Sequence, residues 1–477
     1  MRTVQRIAKN TGVFFTAQVI SAVLSFFFFT HASRSLGVEN FGILSFALAI
    51  TGIIGVLNDL GLGPVIIREV SKDKSLADKY SGNVITLKII LSVITFILIV
   101  LFANLFDYPD KTIKVIYLLG LAVICKAFGG IFESIAQAYE KMEYNAISLI
   151  LNGGIMFSGA LLAVNQKFDI IGFALIYLFA AVISTVYNFA VCTRRFAKPK
   201  IGVDLDFLKD VLKEALPFAL ITVFTMILHW IDTVMLSFIK GDAVAGWYNT
   251  AYRLFFVLLM IPSALNVAIF PVMSRLHVSS KDALKFAYEK SFKYLTIIAI
   301  PIGVGGTLLA EKIILLIFGN QYQPAVIIFQ ILILSAVFVF MGTPASSLLN
   351  STNRQVELAK IVGVSVVLNI FLNFLLIPKY SYIGAGIATT ISTLLILFLV
   401  IIRAAKIGYS IPVYKIAELT LKAIISGLIM GVFVICFKSI NLFLLILLSA
   451  IIYFTILYLL KGFDKKDIDL FVKFKGI

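Results

Sequence analysis

Residues 229–258 read HWIDTVMLSFIKGDAVAGWYNTAYRLFFVL, two apolar runs around a short polar turn, with Asp232 in the first run and Arg253 in the second. Each run extends outward into a segment long enough to cross a bilayer, about 214–239 and 247–272. A helix rises about 1.5 Å per residue, so Asp232 lies about 12 Å below Lys240 and Arg253 about 10 Å below Gly246. On antiparallel neighbours the two charges sit at nearly equal depth. Pairing them spares the bilayer an isolated ion. The pattern therefore expects either a clamp within this hairpin or the wall of a wet cavity.

The rest of the chain sets the context. It has 477 residues, 60% of them hydrophobic and 14% charged. Its mean hydropathy is +1.02. Long uncharged runs recur from end to end, which marks an all-α polytopic membrane protein. The spans fall at about 11–33, 41–66, 83–106, 114–139, 146–165, 170–192, 214–239, 247–272, 292–318, 325–350, 357–377, 383–404, 418–438 and 442–461, fourteen in all. The first run is too long for a signal-peptide core and is read as a true span. Cys125, Cys192 and Cys436 are scattered through apolar runs and suggest packing, with neither a disulfide framework nor a metal site.

Lys and Arg orient the spans. With the N-terminus inside, the inner segments hold 29 of them and the outer turns 8. Lys88, Lys126, Arg253 and Lys422 lie within spans. This asymmetry predicts that both termini are cytoplasmic. It also accounts for the net charge of +16 through anionic headgroups, with no need for nucleic acid.

The chain also repeats. RSLGVENFGILSFALAITGIIGVLNDLGLGPVIIRE resembles KGDAVAGWYNTAYRLFFVLLMIPSALNVAIFPVMSR about 205 residues later. ESIAQAYEKMEYNAISLILNGG resembles ASSLLNSTNRQVELAKIVGV about 212 residues later. Six spans separate the copies, so they share orientation. This predicts two parallel six-helix lobes with a substrate path between them, a common transporter plan. The expected organisation is an N-lobe over 1–200, a C-lobe over 201–406, and two further helices with a tail over 407–477. The polar linker 193–217 places Leu205, Leu208, Val211 and Leu212 at helical spacing, which predicts a short interfacial helix. The tail KKDIDLFVKFKGI (465–477) suggests a similar element.

Ionisable side chains in hydrocarbon cost about 2.5–3.5 kcal/mol each, so they face partners or a wet cavity. Besides Asp232 and Arg253, the candidates are Asp59, Lys88, Lys126 and Glu133 on spans 2, 3 and 4. Lys88 is near enough to the inner surface to snorkel. Lys126 is deeper and shares a helix face with Glu133 at i, i+7. It is expected to be the cavity cation, or else half of a buried pair with Glu133. His229, one turn before Asp232, is a candidate proton relay or a satisfied lone histidine. Gly52, Gly55, Gly61, Gly63 and Pro64 in span 2, and Pro217, Pro262, Pro271 and Pro301 in spans 7 to 9, allow bending or tight packing. The outer turns are too short for the catalytic loops of a membrane glycosyl enzyme, and no H-E-x-x-H or nucleophile elbow occurs.

Several stretches together resemble the polysaccharide-biosynthesis flippases of the multidrug/oligosaccharidyl-lipid/polysaccharide exporter superfamily. They are RSLGVENFGILSFALA, NDLGLGPVIIRE, the block from His229 to Leu276, IFGNQYQPA, LLNSTNRQ and IPKYSYIGAGIAT. The block D-T-x-M-L … G-x-Y-x-x-A-Y-R-L is the most specific, and Asp232, Tyr248, Ala251 and Arg253 match it. The resemblance implies a multi-pass protein of a prokaryotic cell membrane, acting as a monomer without cofactor or metal. It implies a lipid-linked oligosaccharide as substrate, with Lys126 and Arg253 as headgroup cations and a proton or sodium ion as coupling ion. The alternative within the superfamily is a cation-coupled drug antiporter that uses Asp59 or Asp232 as the exchange carboxylate.

Overall fold

The computed structural model describes residues 2–199, 202 and 204–463. The tail 465–477 lies outside them. The helices are α1 (Arg2–Gly55), α2 (Leu62–Lys72), α3 (Ala77–Leu105), α4 (Asp110–Ala138), α5 (Met142–Asn165), α6 (Ile170–Arg195) and α7 (Leu205–Lys240). They continue with α8 (Asp242–Ser279), α9 (Lys281–Phe318), α10 (Ala325–Ser351), α11 (Gln355–Lys406), α12 (Val413–Cys436) and α13 (Leu442–Leu459). Among the described residues there is no strand. Twelve helical stretches are long and apolar enough to cross a membrane. Two of them join two helices through one non-helical residue, Gly37 in α1 and Ser381 in α11. Resolving both joints gives fourteen segments, as expected for a polytopic all-α membrane protein.

Helix ends follow the sequence. Asp204 caps α7 through the Phe207 amide at 3.0 Å. Ser280 caps α9 through Ala283 and Asn441 caps α13 through Phe443. The second span stops earlier than residue 66. A 3-10 turn at Val56–Asn58 leads into Leu60 and Gly61, both with positive φ. Gly61 is required twice over. Its φ is +71°, and a Cβ there would lie 2.7 Å from the Ala219 nitrogen. After this break α2 turns its apolar face inward. Leu62, Val65, Ile66 and Val70 form a core with Tyr80 and Val84 of α3, Ile131 and Ile135 of α4, and Leu208 and Val211 of α7.

The expected interfacial helix is not a separate element. Residues 205–212 form the first turns of the 36-residue α7. Leu208 and Val211 are buried against α2 and α3, while Leu205 stays exposed. Packing against protein has replaced contact with headgroups. Pro262 and Pro271 lie inside α8 and Pro301 inside α9; the Pro217 side chain lies outside the described structure.

The internal repeat has a structural counterpart. Gly37 (φ 74°, ψ 177°) and Gly241 (φ 91°, ψ 167°) adopt the same backbone conformation at positions 204 apart (241 − 37). Five residues after each comes another glycine, and each of these two lies against the other's helix at one crossing. A Cβ on Gly42 would fall 1.8 Å from the Asp242 carbonyl oxygen, and one on Gly246 would fall 2.3 Å from that of Val38. Backbone approach of this kind excludes every side chain, and bilayer helices use it for packing where no hydrophobic force acts between them.

The described chain forms two compact units. The first comprises Met1–Thr250 with Asn373–Tyr382, and the second Ala251–Leu372 with Ile383–Ile477. The first unit reaches beyond residue 200 because α7 packs on α1 and α2. At one end of it Phe46, Phe102 and Phe106 each meet the Phe238 ring edge to face, with the Phe106 and Phe238 centroids 5.0 Å apart, and Tyr108 tilts against Phe46. In the second unit Tyr288, Leu348, Val400 and Tyr409 share a core. The Tyr453 hydroxyl donates to the Ile297 carbonyl at 2.9 Å and fastens α13 to α9.

Candidate functional site

The helix break after Asn58 places Asp59 against α3. Lys88 of α3 is 1% exposed, and its Nζ donates to Asp59 Oδ1 at 3.0 Å and to the Ala127 carbonyl of α4 at 2.7 Å. The Asp59 side chain is 42% exposed. The ammonium is enclosed and does not snorkel, while the carboxylate reaches the open side. One turn along α3 from Lys88, the Ser92 hydroxyl donates to Asn58 Oδ1 at 3.1 Å.

Glu133 and Lys126 of α4 go to different partners. Glu133 is half-buried and accepts from Asn188 Nδ2 of α6 at 2.7 Å and from the Ser148 hydroxyl of α5 at 3.3 Å. Lys126 turns to α6, where its Nζ lies 2.9 Å from the Tyr177 hydroxyl and 4.1 Å from the ring centroid. A cation over an aromatic face is held electrostatically while one side of it stays open. Lys126 is the exposed cation among these four residues.

Asp232 of α7 is 1% exposed. Its Oδ2 accepts from the Tyr248 hydroxyl of α8 at 2.6 Å, and its Oδ1 accepts from Asn373 Nδ2 of α11 at 2.5 Å. Next to it, Asn249 Nδ2 donates to Thr233 Oγ1 at 3.0 Å. Neutral donors from two other helices thus reach both oxygens of this carboxylate. His229 is half-buried on the same helix, one turn earlier. Arg253 belongs to the second unit and is half-buried on α8.

The structure thus joins Asp59 with Lys88. It leads Lys126 to Tyr177, and Glu133 to Asn188 and Ser148. Reading the charges alone missed Asn373, Tyr177, Asn188 and Ser148. Asn373 had a visible signal. With Asn369 it puts two amides at i, i+4 in the apolar run IVGVSVVLNIFLNFLLIP, and both are fully buried. An amide in hydrocarbon needs a partner as a charge does.

The sequence model described as polysaccharide biosynthesis protein matches residues 7–277, more than half of the chain. That of the MatE family matches residues 217–375. The chain is 26% identical to the capsular polysaccharide biosynthesis protein CapF of Staphylococcus aureus, over 80% of this chain and 96% of that protein. It is 26% identical to the lipopolysaccharide biosynthesis protein WzxC of Escherichia coli K12, over 83% of this chain and 79% of that protein. Identity to the probable low-salt glycan biosynthesis flippase Agl15 of Haloferax volcanii is 23%, over 81% of each. Among solved structures, the lipid II flippase MurJ in an inward closed conformation superposes with a TM-score of 0.78 at 16% identity. The alignment covers 94% of this chain and 98% of that one. An inward-facing multidrug resistance MATE transporter superposes at 0.68 and 15% identity, over 83% and 98%. These structural likenesses establish a shared fold. With the motifs, the fourteen segments and the family match in agreement, the chain is a multi-pass membrane protein that belongs to the polysaccharide biosynthesis protein family.

Proposed function

We propose that this protein is a flippase. It moves a polyprenyl-phosphate- or pyrophosphate-linked oligosaccharide from the cytoplasmic to the outer leaflet by alternating access, for cell-surface polysaccharide or glycan assembly. One observation carries the reading. Over about four-fifths of its length the chain aligns with relatives named for capsular polysaccharide, lipopolysaccharide and glycan biosynthesis. Such a protein is a transporter, works as a monomer in the prokaryotic cell membrane, and keeps both termini in the cytoplasm.

In this reading Lys126 holds the headgroup phosphate. Its open ammonium and the Tyr177 face suit a phosphate joined to a sugar ring. Arg253 is the second headgroup cation. The Asp59–Lys88 pair and Glu133 shape the wall. Asp232, held by Tyr248 and Asn373, takes the coupling proton or sodium ion, and His229 passes protons to it. Prolines 262, 271 and 301 let α8 and α9 bend.

The test is gene deletion followed by measurement of lipid-linked sugars on each leaflet. Accumulation on the inner leaflet, reversed by the wild-type gene and reversed poorly by Lys126→Gln, is the expected result. A second reading, a cation-coupled drug antiporter, draws on the MatE match and on the buried Asp232 carboxylate. An unchanged leaflet distribution with altered resistance to cationic dyes would select it instead.

A further inference from the structure

The second unit carries a cavity that the transport reading does not use. It measures about 480 Å³ and lies where α9 and α12 begin and α13 ends. Lys290, Lys293, Lys422 and Lys461 line it together with Glu289 and Glu418, four ammonium groups against two carboxylates. Lys422 Nζ is 2.6 Å from Glu418 Oε1 and 3.4 Å from the Lys461 carbonyl oxygen. One cation is thus paired from within, and the lining as a whole carries two more ammonium groups than carboxylates. Phe286 and Tyr414 complete the wall, with Lys290 Nζ 5.7 Å from the Phe286 ring centroid.

The same two helices carry a second, apolar cavity of about 420 Å³. Gly303, Val304 and Leu308 of α9 face Gly431, Val432 and Ile435 of α12 across it. Small residues keep it open. At Gly431 a Cβ would already press on Leu308 and Val304 at 3.2 Å. The groove begins six residues beyond Lys422 at Leu428 and ends thirteen beyond it at Ile435. At the helical rise this is about 9 to 20 Å deeper than the lysine. One leaflet of a ~30 Å core is about 15 Å thick, so the groove begins within the lysines' leaflet and reaches about the midplane, where an acyl chain ends.

We propose that the α9/α12 pair holds a resident anionic phospholipid, with its phosphate among Lys290, Lys293 and Lys422 and an acyl chain in the apolar groove. A soluble anion would leave the groove unused, and a zwitterionic lipid would leave the charge excess unused. The Lys and Arg distribution puts these helix ends on the cytoplasmic side, where anionic lipids accumulate. The lipid ties the start of α12 to α9, and the inference holds whatever cargo is transported.

Native mass spectrometry of the full chain tests this, after reconstitution in phosphatidylcholine nanodiscs with or without phosphatidylglycerol. Wild-type protein should keep one phosphatidylglycerol. A triple variant, Lys290→Gln with Lys293→Gln and Lys422→Gln, should lose it by about tenfold or more, since lysines near the surface each add to the attraction for an anionic headgroup. Val432→Trp fills the groove from an exposed position and should weaken retention without touching a charge. Lys438→Gln, outside the cavity, should retain the lipid. Equal retention by wild type and the triple variant, equal retention of phosphatidylcholine, or binding of polyprenyl phosphate alone would each overturn the proposal.

Discussion

Asp59 and Asp232 are both carboxylates at membrane depth, and the protein keeps them in opposite ways. Asp59 meets a cation, and that cation is the buried partner. Asp232 is itself buried, with a phenol and an amide on its two carboxylate oxygens. The first arrangement holds a charge balance between helices that a break in the second span brings together. The second holds a buried carboxylate that hydrogen bonds from two other helices orient. A pair held by its charge balance is lost when either member is neutralised, whereas hydrogen bonds from neutral donors fix a side chain's geometry without supplying a counter-charge.

The contrast can be broken at Asp59 most forcefully. Asp59→Ala leaves the enclosed Lys88 ammonium with the Ala127 carbonyl alone, and should cost about 3 kcal/mol. Lys88→Met, by contrast, leaves a carboxylate that is partly open, and should cost no more than about 1 kcal/mol. Thermal unfolding of the two variants in detergent measures the difference. Equal losses would mean that the pair is not asymmetric. Tyr248→Phe removes one hydrogen bond to a buried charge and should cost about 2 kcal/mol in the same assay. Asp232→Asn sharpens the comparison further. Asn373 can turn its amide to match the new side chain, so stability should fall by less than about 1 kcal/mol, and under the proposed function ion coupling should be lost. A large loss of stability there would make Asp232 a structural group like the Asp59 pair.

A smaller effect lies outside the membrane spans. Lys79 donates to Asp204 at 2.9 Å, and with the Phe207 amide it holds the Asp204 carboxyl below the ordinary range. A depressed carboxylate stabilises above its unfolded pKa of about 4 and loses that contribution as pH falls through the lower folded value. Acidification below about pH 4 should therefore loosen the linker from α3, seen as faster proteolysis near residue 202. Asp204→Asn should remove the pH dependence.

Much of this was legible. Spans, segment number and repeat could be read because apolar length and Lys/Arg placement are local properties of the chain. Asp232 and Tyr248 stood out in the block that also carries the family likeness. The partners were not legible. Lys126 shares a helix face with Glu133, yet a tyrosine 51 residues away takes it. Asp232 bonds an asparagine 141 residues away. Helical spacing ranks neighbours on one helix and is blind to which other helix packs alongside.

The sequence by itself determined that the chain crosses the membrane many times, that it repeats, and which charges enter the bilayer. Hydrocarbon excludes unpaired polar groups and so leaves its mark on composition and spacing. Only the tertiary structure decided which of two oxygens or nitrogens each charge meets. It also decided that residues 205–212 extend α7 along α2 and α3, and that Gly42 and Gly246 touch backbone to backbone. Those outcomes depend on contacts between segments far apart in the chain, and a few tenths of an ångström of backbone clearance select among them.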